Sequence, residues 1–591
     1  MSTVDPLRWD LSDLYSSTDD PALAADVAQA RERAEALAAA HRGRVAGLDA
    51  PSLRALLADY EALLDRAYRP MSYASLRFAA DAGDAAVQAL LDRTREAMAH
   101  LSTLLRFLDV ELKTAPTEVF ERWLAAPELE PYRHYLAASR RYAPHTLSEP
   151  EENLATMKGL TGVAAWTQLF DETLAAIRVP LTVEGQELEL TVDEARALRS
   201  HPDRDVRARA TRAVLAAHAE RAHVLNFVFN TIFQDHRIEL GLRRYASPME
   251  PTLLDDELPA SIADALMDTT ERNYGLAQEY YRLKARALGL GDFSTHDVLA
   301  PLPGGDKKIP FAEGRRLVLE AFRDFSPRFA EIAERHFDRR WIDALPRPGK
   351  RGGAFCAAWS PSLHPFVLTN YNDRIDDVST VAHELGHAVH FSLAGEKQSL
   401  LNYGPTTPMA ETASVFGEIV LARRLLLEER DPAVRRSLLA NRIEDVIATV
   451  FRQVMYTRWE LSAHARRAEG VVPADEYGAM WRAQLDRLYG DAVRPGELDR
   501  WGYIGIPHFI HSRFYCYSYA YGQLLVLALY RRYLDEGDRF VPRYLELLGG
   551  GGSGTPEELL ARVGIDLREP GFWQRGFDAL RDLIEEFRAV V

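Results

Sequence analysis

The sequence predicts a mostly α-helical protein built from two domains. Residues 20–140 are rich in Ala, Leu, Arg and Glu, with apolar residues at helical spacing and breaks at Pro51, Pro116 and Pro131. The chain has 591 residues, more than one ordinary hydrophobic core accommodates. No repeat of fixed period is found, which argues against a solenoid. We therefore expect an N-terminal helical domain over residues 1–195 and a second domain over residues 196–591.

Two short regions have the pattern of β-strands. Apolar residues alternate on both sides of Gly185 over residues 177–191, which predicts a hairpin. Residues 354–359 and 365–369 predict two further strands joined by a Ser/Pro loop. The glycine runs at 349–353 and 549–554 are predicted breaks. The second run lacks the Gly-Lys-Ser/Thr of a phosphate-binding loop, so we expect a mobile loop there.

The composition is that of an ordinary globular protein. Hydrophobic residues make up 47% of the chain and charged residues 27%. Cys356 and Cys516 are the only cysteines, which fits a reducing compartment. The first ten residues lack the basic and apolar segments of a leader, and no stretch of about 18 apolar residues is present. The net charge of -16 argues against nucleic acid as the main partner. We expect a cytoplasmic protein that binds neither membranes nor nucleic acid.

The segment His383-Glu384-Leu385-Gly386-His387 carries the pattern of a hydrolytic zinc site. Residues four apart lie on one face of a helix, so the two imidazoles can share one ion. Glu384 would lie beside that ion, where its carboxylate can take a proton from water. Acidic and hydroxyl residues at 376–380 are helix-start signals, and they predict that the motif lies on a helix.

A catalytic zinc usually has three protein ligands, so a third group must join the two histidines. His390 lies seven residues after His383, which is about 10.5 Å along a helix and too far for a shared ion. We expect His390 to pack or to lie in the second shell. Residue 390 is also not the glycine of the metzincin pattern. A carboxylate from another helix is therefore expected.

Glu411 is the candidate for this carboxylate. The segment 408–422 begins with a proline and has apolar residues at helical spacing, so it predicts a second helix. Glu411 lies in its first turn, with Ser414 and Glu418 on the same face. Acids are also common in first turns because they stabilise the helix N-terminus, so spacing alone leaves the role of Glu411 open.

The motif and Glu411, in a Glu-Thr-Ala-Ser context 24 residues after the second histidine, resemble the thimet oligopeptidase and oligoendopeptidase F family of zinc metallopeptidases. Three further segments resemble the oligoendopeptidase F branch. They are the glycine-rich segment 349–356, the His/Tyr segment 506–519, and the C-terminal segments 564–566 and 572–573. The resemblance extends from about residue 180 to the end, and it is weaker in the helical N-terminal third.

The resemblance implies the roles of the motif residues. His383, His387 and Glu411 would be the ligands of one Zn²⁺ per chain. Glu384 would be the general base that passes a proton from water to the leaving amine.

The resemblance also implies roles in the His/Tyr segment. His508 would contact the substrate near the scissile bond, and Tyr515 and Tyr517 would donate hydrogen bonds to the carbonyl oxygen. A helix cannot direct four alternating tyrosines at one site, so the choice among them stays open. The alternatives are Tyr519 and Tyr521 for the tyrosines and His511 for the histidine.

In fold and function, the resemblance implies a large helical gluzincin-type metallopeptidase with a small β-sheet at the active site and a central channel. The edge of that sheet would pair with the backbone of an extended peptide. The expected activity is zinc-dependent hydrolysis of internal bonds in short unfolded oligopeptides. The alternatives are a zinc exopeptidase of carboxypeptidase or dipeptidyl type, and an inactive helical scaffold that binds peptides.

Overall fold

The computed structural model describes residues 7–304, 307–569 and 571–591. The first six residues, which form part of the segment tested for a leader, lie outside this description. The protein is mostly α-helical with two small sheets, as predicted. In the described residues, no helix is both long enough and apolar enough to cross a membrane.

The α-helices, in chain order, are α1 (Pro21–His41), α2 (Ala50–Ala80), α3 (Ala85–Thr114), α4 (Thr117–Ala125), α5 (Arg133–Arg141), α6 (Glu149–Thr161), α7 (Val163–Ala175), α8 (Val192–Ala197), α9 (Arg204–Arg243), α10 (Glu250–Asp255), α11 (Ala260–Arg272), α12 (Tyr274–Ala287), α13 (Phe311–Phe325), α14 (Pro327–Asp338), α15 (Ile375–Gly395), α16 (Thr407–Ala410), α17 (Thr412–Glu428), α18 (Pro432–Val446), α19 (Arg452–Glu469), α20 (Ala474–Tyr489), α21 (His508–His511), α22 (Cys516–Glu536), α23 (Val541–Gly549), α24 (Pro556–Arg562) and α25 (Phe572–Arg588). The strands are β1 (Val179–Val183), β2 (Gln186–Leu190), β3 (Ile342–Asp343), β4 (Phe355–Ala357) and β5 (Phe366–Leu368).

The chain forms two compact units, each made of several segments. Unit 1 contains Met1–Glu149, Asp306–Glu428 and Arg532–Leu567. Unit 2 contains Pro150–Gly305, Glu429–Arg531 and Arg568–Val591. The predicted domain division at residue 195 stays a prediction.

The helices at the start of unit 1 show how the sequence sets helix boundaries. Asp20, Asp49 and Asp84 cap α1, α2 and α3, and each accepts a hydrogen bond from a backbone N–H of the first turn. The three helices bury an apolar core in which several side chains have no exposed surface: Ala30, Ala34, Leu53, Leu57, Leu63 and Leu112.

The predicted hairpin is confirmed as β1 and β2 in unit 2. The strands are antiparallel, with Val179 opposite Leu190. Glu184 and Gly185 form the turn with φ of 51° and 81°, and two positive φ values are what a tight two-residue hairpin turn requires.

The second sheet has the order β3-β5-β4 and lies in unit 1. Strands β4 and β5 pair antiparallel, with Cys356 opposite Val367, and they confirm the two strands predicted there. Strand β3 was not predicted, because two residues are too few for a periodic signal. Since β5 is central, β4 lies at an edge of the sheet.

The glycine run 549–554 is packed, so the prediction of a mobile loop is wrong. The N–H of Gly552 donates to the carbonyl of Asn402 at 2.8 Å. A Cβ on Gly552 would lie 2.3 Å from the carbonyl oxygen of Gly404. These positions require glycine because another part of the backbone approaches them closely. Neighbouring residues in the sequence do not indicate that approach.

Helices α15 and α17 pack backbone against backbone in unit 1. A Cβ on Gly386 would lie 2.4 Å from the carbonyl oxygen of Ala413 and 2.5 Å from Cα of Ser414. A Cβ on Gly417 would lie 2.9 Å from the carbonyl oxygen of Ala382. Both glycines are therefore required for this spacing.

We predict that Gly386→Ala lowers the free energy of unfolding by about 1–3 kcal/mol, since the added methyl overpacks the α15–α17 contact. Guanidinium unfolding followed by circular dichroism measures the change. Gly395→Ala on the same helix is the matched control, because its Cβ would meet nothing closer than 3.5 Å. Equal stability of the two variants would contradict the packing argument.

Candidate metal centre

Helix α15 places His383 and His387 one turn apart, as predicted. The helix starts at Ile375, where the Asp377 carboxylate accepts hydrogen bonds from the N–H groups of Asn372 and Arg374. The acidic residues recognised in the sequence thus cap the helix that carries the motif.

Three side-chain atoms converge in a nearly equilateral triangle. The Nε2 atoms of His383 and His387 are 3.2 Å apart, and Oε2 of Glu411 lies 3.4 Å and 3.5 Å from them. Tetrahedral ligands at about 2.0–2.1 Å from a zinc ion are roughly 3.3 Å from one another. The three atoms therefore fit one zinc ion, and in the described residues no other His, Cys, Asp or Glu group forms such a cluster.

Glu411 lies at a break between two helices, whereas the sequence predicted one continuous helix from residue 408. The short helix α16 ends at Ala410 and α17 begins at Thr412. Ser414 donates to the Glu411 carboxylate at 2.7 Å and lies 3.1 Å from its backbone carbonyl. The hydroxyl competes with regular helical bonding there and fixes the carboxylate that faces the histidines.

Glu418 orients His383, a role that the sequence did not reveal. Its Oε1 lies 2.6 Å from Nδ1 of His383, which leaves Nε2 directed at the triangle. A carboxylate on the far nitrogen of a metal-binding histidine fixes the ring and increases its basicity. The sequence does show that Glu418 lies on the same helix face as Glu411. Glu418 is seven residues, or two turns, after Glu411, however, and this spacing gave no reason to pair it with His383.

Negative charge dominates the site. Burial lowers the pKa of His383, but the hydrogen bond to Glu418 and the nearby carboxylates raise that pKa to about 9. Burial lowers the pKa of His387. Burial opposes ionisation of Glu411, yet the two histidines hold its pKa below the usual value. The surrounding carboxylates thus favour a cation between the imidazoles.

Glu384 lies between α15 and the edge strand β4. Its side chain is 7% exposed, and it accepts a hydrogen bond from the N–H of Cys356. Burial raises the pKa of Glu384 to about 7, with Glu411 and Glu418 adding to the rise and His383 opposing it. A carboxylate with a pKa near neutrality can both accept and release a proton.

His390 is outside the triangle. Its side chain is 3% exposed, and burial lowers the pKa of this histidine to about 4. It is absent from the cluster that can hold a metal, in agreement with the expectation that it is not one of the three ligands.

The predicted His/Tyr residues belong to unit 2, around α21 and the start of α22. His508 Nε2 lies 3.2 Å from the Tyr519 hydroxyl, and the ring of Tyr515 is nearly parallel to that of His508 at 5.9 Å. Tyr515 and Tyr519 are half-buried. The structure thus brings these three side chains together.

Tyr517 and Tyr521 point in other directions. Tyr517 has no exposed surface, and its hydroxyl donates to the buried Asp256 carboxylate. Tyr521 packs against Trp573 with ring centroids 5.2 Å apart. His511 is exposed and lies 2.9 Å from Asp171. Helix α22 turns about 100° per residue, so Tyr517 and Tyr521 lie on a different face from Tyr519.

Family comparisons agree with this site. Residues 197–579 match the family model described as Peptidase family M3, and residues 111–178 match the one described as Oligopeptidase F. A helical protein with a His-Glu-x-x-His helix and a third carboxylate is in the class of zinc metallopeptidases. The chain belongs to peptidase family M3, which is zinc-dependent in general.

Named relatives align along nearly the whole chain. An oligoendopeptidase F homolog of Lactococcus lactis is 25% identical, and the alignment covers 100% of this chain and 98% of the relative. The oligopeptidase PepF of Bacillus subtilis is 26% identical over 95% of this chain and 84% of its own.

Solved structures share the fold. A crystal structure of a Chlamydophila abortus protein superposes with a TM-score of 0.90 at 24% identity, and it covers 100% of this chain and 99% of its own. The oligoendopeptidase-F of Enterococcus faecium superposes with a TM-score of 0.69 at 22% identity, over 96% and 97%.

We predict that Glu418→Gln weakens zinc binding by about 10- to 100-fold, because His383 loses the carboxylate that orients it. Competition with a chelator of known affinity measures the zinc dissociation constant. Glu428→Gln at the end of the same helix is the control, since Glu428 pairs with Arg424 at the surface. An unchanged affinity in Glu418→Gln would show that the hydrogen bond does not support the metal site.

Proposed function

We propose that the protein is a zinc-dependent endopeptidase that hydrolyses internal bonds of short unfolded oligopeptides. His383, His387 and Glu411 hold one zinc ion per chain, and Glu384 is the general base. The observation that carries this proposal is the convergence of three ligand atoms at 3.2–3.5 Å beside a buried carboxylate with a pKa of about 7. The printed names of the Lactococcus and Bacillus relatives support oligopeptides as the substrate class.

The chain supplies the proton transfers of hydrolysis. A bound zinc ion would lower the pKa of water and polarise the scissile carbonyl. Glu384 accepts the proton of the attacking water and then delivers it to the nitrogen of the leaving amine. The N–H of Cys356 donates a hydrogen bond to the Glu384 carboxylate. Ser414 holds the Glu411 carboxylate, and Glu418 holds the His383 ring. No covalent bond between enzyme and substrate is needed.

The edge of β4 is the proposed contact for the peptide backbone. Strand β4 pairs with β5 on one side only, and the backbone N–H of Cys356 on this strand donates a hydrogen bond to the Glu384 carboxylate. A peptide that extends the sheet would therefore lie beside the general base. Backbone pairing gives affinity with little demand on side chains, which suits an enzyme for varied oligopeptides.

In unit 2 we propose that His508 contacts the substrate and that Tyr515 and Tyr519 donate hydrogen bonds to the carbonyl oxygen. Their support is the grouping of these three side chains. The sequence predicted this role for Tyr517 in place of Tyr519, and that prediction is untested; we favour Tyr519 because the Tyr517 hydroxyl is buried and donates to Asp256. A cytoplasmic location stays part of the proposal.

We predict that Glu384→Gln lowers kcat by about 10²- to 10⁴-fold without loss of zinc, since the amide cannot accept a proton. An internally quenched peptide measures turnover, and elemental analysis measures zinc per chain. Glu396→Gln just after the same helix is the control, because Glu396 pairs with Arg328 away from the motif. Near-normal turnover in Glu384→Gln would refute the general-base role.

Mass spectrometry of the peptide products distinguishes the classes of enzyme. Internal cuts support the proposal, whereas loss of single residues or dipeptides from one terminus indicates an exopeptidase. A zinc-loaded wild type that binds peptides and cuts none would indicate a scaffold.

We predict different effects of the three Tyr→Phe substitutions in the His/Tyr segment. Tyr519→Phe and Tyr515→Phe should lower kcat at least tenfold if they remove a donor to the developing oxyanion. Tyr517→Phe should keep most of its turnover and lose about 1–3 kcal/mol of stability, because Asp256 loses its buried donor. Steady-state kinetics and thermal unfolding measure both quantities. A large loss of kcat in Tyr517→Phe alone would assign the catalytic hydroxyl to Tyr517.

A further inference from the structure

Unit 2 contains a cavity of about 330 Å³ that is lined by positive charge. It lies among α9, α19, α20 and the 3-10 helix Leu498–Gly505. Its polar lining includes Arg196, Arg199, Arg452 and His218, with Asp499 as the carboxylate among the lining residues. Apolar side chains complete the wall. This volume is within the range of small-ligand sites.

Two of these arginines have no partner in the described part of the chain. Arg199 and Arg452 make no hydrogen bond or ion pair there, and the Nε atom of each is buried without an acceptor. Burial and the charge of Arg452 lower the pKa of Arg199, which shows that the two cations are close.

Tyr456 and Tyr489 favour the charged form of both arginines. Asp499 favours that of Arg199, and Glu444 favours that of Arg452. None of these groups forms a hydrogen bond or ion pair with either guanidinium in the described residues. Like charges held together with only this partial compensation are costly.

Neighbouring buried cations of the same unit do have carboxylate partners. Lys284 pairs with Glu444, and Arg207 pairs with Asp297 at 3.1 Å. The lack of an ion pair thus distinguishes Arg199 and Arg452 from Lys284 and Arg207 in the same unit.

Asp499 offsets only part of the positive charge of the cavity, and its carboxylate raises the pKa of Arg199. Its Oδ2 accepts hydrogen bonds from the Thr295 hydroxyl at 2.8 Å and from the N–H of Gly496 at 2.6 Å. Arg196 donates to the carbonyl of Gly505 and lies 3.4 Å from Asp193. With Arg196 balanced by Asp193, the two remaining arginines and Asp499 leave an excess of positive charge.

Two further observations support a ligand. His218 is 2% exposed, and the backbone of Trp501 engages one ring nitrogen while the other has no hydrogen-bond partner in the described residues. Arg452 directly follows a π-helical turn, Ile447–Phe451, and such turns are frequent at functional sites.

A second cavity of about 350 Å³ adjoins the first, with the exposed Glu497 in its lining. It shares Thr211, Thr295 and Asp499 with the first cavity. Its own lining includes the exposed Arg212 and Arg494, whose charges would attract an anion.

We propose that the cavity binds a small tetrahedral oxyanion of the phosphate and sulfate class between Arg199 and Arg452. Each guanidinium presents a planar fork of donors that matches two oxygens of such an anion. The bound anion links α9, α19 and α20 with the 3-10 helix Leu498–Gly505 and stabilises unit 2. This proposal is independent of the peptidase reaction.

Binding is tested on the full zinc-loaded chain by calorimetry and thermal unfolding with sodium sulfate and sodium phosphate, against sodium chloride at equal ionic strength. We expect a saturable rise in Tm with both oxyanions and none with chloride. Arg199→Gln and Arg452→Gln should each weaken binding at least about tenfold, the effect of losing one charge-assisted hydrogen bond. Without oxyanion, neither variant should unfold at a lower temperature than the wild type, because each loses an unpaired charge.

Arg466→Gln is the matched control. Arg466 lies on α19 like Arg452 but pairs with Glu476, so this variant should keep the full response to sulfate. Equal shifts in the wild type and both cavity variants would overturn the proposal, because sulfate also stabilises proteins without binding a site. A response to chloride equal to that of sulfate would overturn it too.

A second measurement needs no variant. Wild-type crystals soaked in selenate should show an anomalous peak between the guanidinium groups of Arg199 and Arg452. A cavity without that peak at saturating selenate overturns the proposal. A response to malonate without one to sulfate or selenate also overturns it, since the site would then select carboxylates.

Discussion

The metal centre depends on the direct backbone contact between α15 and α17. Gly386 and Gly417 remove the side chains that would separate the two helices, and the carbonyl oxygens of Ala413 and Ala382 occupy that space. This contact brings Glu411 and Glu418 to opposite nitrogens of His383. A shift of one ångström between the helices would change both histidine–Glu411 separations, because the two histidines lie on α15 and Glu411 lies immediately before α17.

The surroundings of the three glutamates at the site differ because their positions differ. Glu418 engages Nδ1 of His383 and so fixes which nitrogen faces the cation. Glu411 is held by Ser414 at a helix break, where its carboxylate reaches both imidazoles. Glu384 is on the same helix as the histidines but turns toward β4, where burial and neighbouring carboxylates raise its pKa. Position alone thus suits Glu418 to orient a histidine, Glu411 to the proposed role of ligand and Glu384 to the proposed role of base.

Local patterns were enough to predict the elements but not all of their contacts. The helix that carries the motif, the hairpin around Gly185 and the strands β4 and β5 were predicted because capping residues and periodicity act within a few residues. The break at Glu411 and the packing of Gly552 against residues 402–404 depend on distant backbone, so no local signal indicated them. The resemblance, and not spacing, singled out Glu411 as the candidate third ligand.

Buried charge without a partner is informative because folding normally removes it. In unit 1 the buried Asp343 is balanced by Arg347 and Lys350, which makes it a structural ion pair. The carboxylates around His383 and His387 instead exceed the nearby protein cations, and this excess is what a divalent ion would balance. In unit 2 the excess charge is positive and an anion would balance it, because Arg199 and Arg452 form no ion pair of the kind that Lys284 and Arg207 form. A sequence shows the charged residues but not which of them remain unpaired, so both inferences depend on the folded arrangement.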